Sequence, residues 1–569
     1  MSVEQVWRHK SDAELAEARH RIWEYTEEGQ GAIQAEIERR TSPEYIRARQ
    51  AARARSAQLP STMSSRTAPE NQSAWLAQRV FLALALMVGF YMLALAIAIG
   101  LLWIPYAEWT YGGRIHIKIA IVCVGGALAV LWALVPRIDR FEPPGPRLEE
   151  ATHPGLFNVI RQIAGATNQA VPTDVYLVNE VNAWVTHRGG TMGFGSHRVM
   201  GVGLPLLQVL SVSEFKAIVA HEFGHYSSGD VKLGPWIYKT RAAIGRTIAG
   251  VEETWIEAPF QWYGQLFLRL THGVSRQQEF IADQIAARVA GAPAMASALR
   301  RVTALAPVFS VYLREEVVPV LQAGFMPPIA AGFNRFLATG HIIAASEHIV
   351  EAAENESQTD IFDTHPSLRD RLAALGSSKD GALAPDNSAP AYQLVPGLED
   401  QAYALVESSF GSDGVVRLKR IEWELVADAV YAEGWRNVVR NYSQWLSRLT
   451  ADGFPIGKSA FIRLGSDLVR ADEQNINNDI RIERAVHLLG AGIGVLLIDK
   501  GWRPQTSPGA PMVVVRDSES FDPLNAVRQL AKEEIAHDAW KAQCRSLGIA
   551  GLTLGVTTPT EVVKVAGKR

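Results

Sequence analysis

The chain has 569 residues and a formal net charge of −3, with acidic and basic residues interspersed. This length is too great for one compact core and predicts several units. The balanced charge and the lack of a basic tract exclude nucleic acid as an expected partner. The two cysteines, Cys123 and Cys544, lie in unrelated contexts, so we expect no disulfide between them.

Residues 1–75 form a polar N-terminal region rich in Arg, Glu and Ala. Its first half predicts two short amphipathic helices, and "STMSSRTAPENQS" predicts a linker. The region is too long and too polar for a cleavable signal peptide, so we expect the first apolar segment to remain as an anchor.

Residues 76–136 predict a two-helix transmembrane hairpin. Residues 80–104 carry no charge over 25 positions, and as a helix they would extend about 37 Å, enough to cross a bilayer core of about 30 Å. Residues 119–135 are a shorter uncharged run, for which a buried helix of a soluble domain is the alternative.

Basic residues near the span ends predict the orientation of the hairpin. Only Arg114 and Lys118 lie in the connection between the spans. Both termini should therefore face the cytoplasm, as expected for a multi-pass protein of the bacterial inner membrane. The outer flanks carry Arg47, Arg49, Arg53, Arg55, Arg66 and Arg79 before the first span, and Arg137, Arg140 and Arg147 after the second.

A globular region is predicted from residue 150 to residue 376. "TDVYLVN", "AWVTHRG" and "HRVMGVG" predict strands, and helices dominate from about residue 275. Ser211 and Glu214 have the spacing of a capping box, which predicts that a helix begins there.

Residues 377–391 are rich in Gly, Pro, Ser and Ala and predict a linker. The remainder, 392–569, mixes helical segments with strand candidates such as "GVLLIDKGW" and "PMVVVRD", which predicts an α+β C-terminal domain of unknown role. Gly490, Gly492 and Gly494 precede the predicted strand instead of following one, so a packing role is favoured over a nucleotide loop.

The segment "HEFGH" places two histidines four residues apart with a glutamate between them. On a helix, His221 and His225 project from one face and can bind one zinc ion, while Glu222 lies beside the metal as a general base for water. An ordinary pair of structural histidines is the alternative.

A catalytic zinc site needs a third protein ligand and an open position. Glu279 and Asp283, in "SRQQEFIADQIAA", are also four apart on one helical face. One of them can bind the metal while the other accepts a hydrogen bond from a ligating histidine. A solvated acidic face is the alternative.

Four segments, "NAWV", "GVGLPLLQVLSVSEFKAIVAHEFGHYSSGD", "SRQQEFIADQIAA" and "THPSLRDRL", occur in the order and approximate spacing of one protein family. Together they resemble HtpX-like and CAAX-prenyl-protease-like membrane zinc metallopeptidases, and the resemblance covers about residues 75–376. It implies an α+β fold: a mostly helical metallopeptidase domain with a small mixed β-sheet.

Carried over residue by residue, the resemblance implies a site with one Zn²⁺ per chain. His221, His225 and Glu279 match the metal ligands. Glu222 matches the base that activates water, and Asp283 matches the carboxylate that supports the ligands.

Five further residues match positions around that site. Asp230 matches an acidic residue that closes the helix motif. His365 matches a histidine that stabilises the oxyanion, and Arg371 matches an arginine that supports it. Asn182 and Ala183 match the start of an edge strand on which substrate backbone is added.

The sequence departs from some relatives between His225 and Glu279, where no clean transmembrane run occurs. Instead, "TWIEAPFQWYGQLFLRL" is aromatic and amphipathic. It predicts either a segment at the membrane interface or an aromatic core helix. No CAAX-specific feature is present.

These features predict a membrane-anchored zinc endopeptidase that cleaves membrane-associated or misfolded proteins. Its expected partners are protein or peptide substrates, the lipid bilayer and a regulatory partner at the C-terminal domain. The alternatives are a non-catalytic membrane scaffold that binds peptides, and a latent protease controlled by residues 392–569.

Overall fold

A computed structural model of the full chain describes residues 35, 36, 39, 72–134, 141–189, 196–227, 234–251, 254, 257–355, 366–376, 387–409, 418–453, 455–468 and 477–555. The two helices predicted in the first half of the N-terminal region lie almost wholly outside these residues. Contacts divide the chain into Met1–Gln78 and a large unit, Arg79–Arg569, and all the packing described below is within the large unit.

Two apolar helices come next: α1, Gln72–Gly112, most of which belongs to the large unit, and α2, Ile117–Leu134. Within the described chain they are the two helices long and apolar enough to cross a membrane, with mean hydropathies of 2.4 for Leu84–Gly112 and 2.3 for Ile117–Leu134. Small buried residues, Ala94 and Ala98 on α1 and Ala127 on α2, let the helix backbones approach closely. The predicted apolar hairpin is confirmed.

A four-stranded sheet follows, built from β1 (Arg147–Leu148), β2 (Asp174–Val178), β3 (Ala183–Arg188) and β4 (His197–Gly203). The strand order is β1-β2-β4-β3. Strands β2 and β4 are parallel, whereas β1 and β3 pair antiparallel with their neighbours. The predicted small mixed sheet is therefore confirmed, and β3 lies at its edge.

Helices make up most of the remaining region up to residue 376, as predicted. Glu214 and Ser211 exchange hydrogen bonds, Ser211 N donating at 2.8 Å and Glu214 N donating to Ser211 Oγ at 3.2 Å, so the predicted capping box is present. The helices are α3 (Pro154–Ala166), α4 (Leu204–Val209), α5 (Val212–Ser227), α6 (Gly234–Gly250), α7 (Glu257–Ala290), α8 (Ala292–Tyr312), α9 (Val318–Gln322), α10 (Ile329–Leu337), α11 (Gly340–Asn355) and α12 (Leu368–Gly376), with a π-helical turn at Leu313–Val317.

The core of this region continues past the predicted linker. After a 3₁₀ turn (Ala391–Leu394) come α13 (Leu398–Ser409) and α14 (Trp423–Val426), whose buried side chains belong to the same cluster as Leu156 and Phe215. A two-residue parallel pairing joins β5 (Phe325–Met326) to β6 (Lys419–Arg420). Residues 391–409 and 418–426 therefore contribute to this core, although the sequence predicted a linker up to residue 391 and a separate domain from residue 392.

Residues 387–391, here termed the strap, attach to the start of α5. Val212 N donates to Ala389 O at 2.8 Å, Ser213 N donates to Asn387 O at 3.0 Å, and Ala391 N donates to Leu210 O at 2.8 Å. A segment whose composition predicts a linker is therefore held by backbone hydrogen bonds at the start of the helix that carries the histidines.

A second hydrophobic cluster begins at Trp435. The predicted strand "GVLLIDKGW" is wrong, because Asn478–Asp499 is one helix; its glycines do pack closely, a Cβ at Gly494 meeting the Trp435 ring at 2.3 Å. The predicted strand "PMVVVRD" is confirmed as β8 (Val513–Arg516). The elements are a π-helical turn (Ala427–Ala432), α15 (Glu433–Asn441), α16 (Ser443–Leu446), α17 (Lys458–Asp467), α18 (Asn478–Asp499), β7 (Arg503–Gln505), β8 (Val513–Arg516), β9 (Glu519–Phe521), α19 (Pro523–Ala531) and α20 (His537–Ser546).

The loop between β7 and β8 docks on the peptidase core. Gly509 N donates to Glu316 Oε1 at 3.0 Å. Gly509 has a φ of +80°, and a Cβ there would meet Thr339 Oγ1 at 2.6 Å, so both the backbone conformation and the close approach require glycine. This contact joins the two hydrophobic clusters.

Candidate metal centre

Helix α5 brings the two histidines of "HEFGH" to one face, beside α7. The ring centroids of His221 and His225 are 4.7 Å apart. Glu279 of α7 faces both rings: its Oε2 lies 3.4 Å from His221 Nε2, and its Oε1 lies 3.7 Å from His225 Nε2. The structure thus brings together the three residues expected to bind metal.

The donor set fits zinc. One donor atom from each of His221, His225 and Glu279 lies within 4.8 Å of the other two. Three ligands at the usual zinc distances of about 2.0–2.1 Å in a tetrahedron lie about 3.4 Å from one another, close to the observed separations. Two imidazoles and one carboxylate are also the ligand types of a catalytic zinc site, which leaves a fourth position for water or substrate.

Glu222 lies between the histidines in sequence but is rotated about 100° from His221 on the helix. Its side chain is half-buried, and it is not part of the three-residue ligand group found among the described residues. Its charge contributes to the raised pKa of His221. The role of Glu222 as a base for water stays a prediction.

A buried ion pair supports His221 from behind. His221 Nδ1 lies 2.9 Å from Asp283 Oδ1. Arg371 of α12 donates to both oxygens of that carboxylate, at 2.8 Å from Nε and 2.6 Å from Nη2, and its Nη2 lies 3.7 Å from Glu279. An Nδ1–H bond to Asp283 leaves the Nε2 lone pair of His221 directed at the metal position.

The charges of this network reinforce one another. Burial lowers the pKa of His221, but hydrogen bonds to Asp283 and Glu279 outweigh burial and raise that pKa to about 9. Burial raises the pKa of Asp283, but hydrogen bonds from Arg371 and His221 outweigh it and lower the pKa. The carboxylates therefore stabilise positive charge at His221, which a metal cation can supply in place of a proton.

Close approach of α5 and α7 depends on Gly224. A Cβ at this position would lie 3.0 Å from the Cα and 3.3 Å from the Cβ of Ala282, so a larger residue would push the ligand helices apart. This role of Gly224 was not predicted, although a glycine in a helix interior is itself a signal of close packing.

A second contact that the sequence analysis missed holds the other side of α5. The guanidinium of Arg198, from β4, lies 4.8 Å from the ring centre of Phe223. Arg198 is 7% exposed, and its Nη1 donates to Ala170 O at 2.8 Å. A cation–π contact thus fixes the helix against the sheet.

The remaining predicted residues lie at or beyond the edges of the site. Asn182 is exposed, and its carbonyl accepts a hydrogen bond from Gly203 N at 2.9 Å. Ala183 starts edge strand β3 and is fully buried. Asp230 and His365 fall outside the described residues, so the pairing expected between His365 and Arg371 stays a prediction.

Comparison with known proteins places this geometry in a family context. Residues 150–379 match the model of Peptidase family M48. Similar curated proteins include the "Protease HtpX homolog" of Burkholderia mallei (strain SAVP1) and that of Burkholderia pseudomallei (strain 668), each 26% identical over 245 residues, covering 40% of this chain and 75% of the relative. No solved structure matches the chain significantly.

Proposed function

Residues 150–379 belong to the HtpX-like branch of peptidase family M48, and from that premise we propose that the chain is a membrane-anchored zinc-dependent endopeptidase. The observation that carries the proposal is the convergence of His221, His225 and Glu279 on one point, with their donor atoms within 4.8 Å of one another. Glu222 is not one of these three residues.

The metal-binding residues are proposed to be His221, His225 and Glu279, with one zinc ion per chain. When bound, zinc supplies a Lewis acid that makes water at the open position acidic near neutral pH. Asp283 and Arg371 keep His221 oriented, since the 2.9 Å contact to Asp283 fixes the ring and its tautomer.

Glu222 is proposed to accept the proton of the attacking water and to deliver it to the nitrogen of the leaving amine. His365 is proposed to donate a hydrogen bond to the oxyanion, a contribution commonly worth about 3–4 kcal/mol. Water attacks the scissile carbonyl directly, so the mechanism involves no acyl-enzyme.

The substrate is proposed to be an extended polypeptide that adds to the edge strand β3 from Asn182 and Ala183 onward. Two apolar helices support anchoring in a bilayer, and the arginine-rich flanks favour a cytoplasmic position of the catalytic region. Membrane-associated or misfolded proteins are therefore the proposed substrates.

The decisive experiment compares the full-length protein with Glu222→Gln in detergent, with cleavage of an unfolded casein substrate and bound zinc measured for both. We expect zinc in both proteins and cleavage only by the native one, because Glu222 moves a proton and does not bind the metal. Glu407→Gln, an exposed change on α13, controls for the loss of one carboxylate.

Other outcomes reject specific parts of the proposal. Cleavage that survives Glu222→Gln excludes this glutamate as the base. Absence of zinc from folded protein purified without chelators excludes the metallopeptidase and favours a peptide-binding scaffold.

A further inference from the structure

The paired helices α6 and α7 lie against the apolar hairpin. Tyr263 Oη donates to Leu86 O of α1 at 2.5 Å, and a Cβ at Gly89 would meet that hydroxyl at 2.6 Å. The rings of Phe90 and Phe260 meet edge to face with their centroids 6.2 Å apart. The aromatic segment that the sequence left between two interpretations is thus, on this face, a packed core.

Another face of the same segment is exposed among the described residues. Trp262 is 65% exposed, whereas its neighbour Tyr263 is 8% exposed. A tryptophan exposed to this degree on a helix that packs against membrane spans is typical of the membrane–water interface, where an indole has one apolar and one hydrated side.

The length of α2 helps to locate Trp262 along the membrane normal. This helix has 18 residues and rises about 27 Å, close to the thickness of the hydrocarbon core. Its last residue, Leu134, therefore marks an edge of that core. Tyr263 of α7 is bonded to Leu86, two residues after the start of the apolar span Leu84–Gly112, so this part of α7 also lies near an edge of that core. Trp132 of α2 is 70% exposed at the same level.

The basic side chain of Arg246 lies at about the same level along the membrane normal as Trp262. A Cβ at Gly264 of α7 would lie 3.1 Å from Ile244 and 3.7 Å from Ile248, so Arg246, between those isoleucines, is level with Gly264. Arg246 is half-buried: its Nε is shielded and has no hydrogen-bond partner among the described residues, so a phosphate would contact the accessible part of the side chain. Phosphate oxygens are preferred partners for a guanidinium group.

We propose that the facing ends of α6 and α7, residues 243–251 and 257–267, form a docking surface for phospholipid headgroups. Trp262 inserts at the interface, and Arg246 binds lipid phosphate. This inference rests on the membrane anchoring in the proposed function and extends it, because it assigns a bilayer contact to helices other than the two candidate membrane spans. The lipid surface of the hairpin is continuous with this site.

The test places an environment-sensitive fluorophore on single cysteines of the full chain in phospholipid vesicles. Trp262→Cys is the probe, Trp132→Cys is the membrane reference, and Leu425→Cys, 59% exposed in the wild type on α14, is the aqueous reference. The background carries Cys123→Ala and Cys544→Ala, and casein cleavage by each labelled protein verifies folding.

We expect a headgroup-region lipid nitroxide to quench the label at position 262 at least about three-fold more than the label at 425, as interfacial insertion requires. Aqueous iodide should show the reverse order. Adding Arg246→Gln should reduce the nitroxide quenching at 262, whereas Arg314→Gln, at an exposed arginine on the π-helical turn, should leave it unchanged.

The possible failures are distinguishable. A label at 262 that behaves like the label at 425, in protein that resists carbonate extraction and cleaves casein, overturns the docking surface alone. Protein that carbonate removes from the vesicles overturns the membrane anchoring as well. Equal effects of Arg246→Gln and Arg314→Gln overturn the assignment of Arg246 to phosphate.

Discussion

Asp283 connects two parts of the candidate site, since its carboxylate accepts hydrogen bonds from both His221 and Arg371. Asp283→Asn removes one negative charge and weakens the orientation of the ring. We expect zinc affinity to fall about 10- to 100-fold, as is usual when such a supporting carboxylate is lost. Competition with a fluorescent zinc chelator measures the affinity.

Asp370→Asn is the matched control, because this exposed aspartate precedes Arg371 on the same helix. It should leave zinc affinity unchanged. Equal zinc affinity in Asp283→Asn and the native protein would show that Asp283 does not orient the ligand.

A substitution at Gly224 tests whether the site needs the close packing of α5 and α7. In Gly224→Ala, the added methyl group meets the backbone of Ala282 at 3.0 Å, so the ligand helices must separate. We expect a loss of about 1–3 kcal/mol in the free energy of unfolding, together with weaker zinc retention. Chemical denaturation and metal analysis measure the two effects.

Gly245→Ala is the control for this change, since it also lies within a helix but a Cβ there meets nothing within 4 Å. It should be neutral or stabilising, because alanine favours the helix. Unchanged zinc retention in Gly224→Ala would contradict the proposed role of close helix packing.

At the scale of elements, sequence patterns predicted the features that depend only on residues close together in the chain. The capping box at Ser211 and Glu214 needs only two side chains at a fixed spacing, and "HEFGH" needs only one helix. The helix Asn478–Asp499 was misread as a strand in its last part because "GVLLI" is apolar and rich in β-branched residues. Short apolar runs of this kind do not distinguish a buried helix from a strand.

The strap shows the other limit of sequence reasoning. Its composition, with Pro390 and Asn387, indicates an irregular segment, and that is what its side chains favour locally. Its attachment to α5 uses backbone groups, which every sequence possesses. No residue pattern therefore reports that this segment is fixed to the catalytic helix.

The contact between Glu316 and the loop at Gly509 gives a pH dependence. Burial raises the pKa of Glu316 above its ordinary value, despite the hydrogen bond from Gly509. The folded state therefore favours the protonated carboxyl, so this group's contribution to stability is largest below the ordinary pKa and is lost as pH rises through the raised value. Glu316→Gln removes the ionisation.

We expect the thermal unfolding temperature of the native protein to fall more between pH 5 and pH 8 than that of Glu316→Gln, by a few degrees at most (about 2–4 °C per kcal/mol). Glu351→Gln, an exposed change on α11, should follow the native protein. Parallel curves for the native protein and Glu316→Gln would contradict the effect.

At the scale of the whole molecule, the two hydrophobic clusters define where the chain can be shortened. A protein that ends at residue 391 lacks Val395, Trp423 and other buried residues of the peptidase core. A protein that ends at residue 432 retains them and lacks only the second cluster, which begins at Trp435. We expect the longer fragment to fold and bind zinc, and the shorter one to aggregate.

Size-exclusion chromatography and metal analysis of the two fragments check this expectation. Casein cleavage by the fragment 1–432 then reports whether the C-terminal domain restrains the site. A soluble, zinc-bound fragment 1–391 would contradict the assignment of residues 391–409 and 418–426 to the core.

Helix α7 fixes the distance between the membrane hairpin and the candidate metal site. Tyr263 is hydrogen-bonded to the membrane hairpin, and Glu279 lies at the candidate metal site; the 16 helical steps from one to the other rise about 24 Å. An extended polypeptide covers that distance with about seven residues, at about 3.3–3.6 Å each. If the proposed function holds, a membrane-protein substrate reaches the metal site only where at least about seven juxtamembrane residues are unfolded.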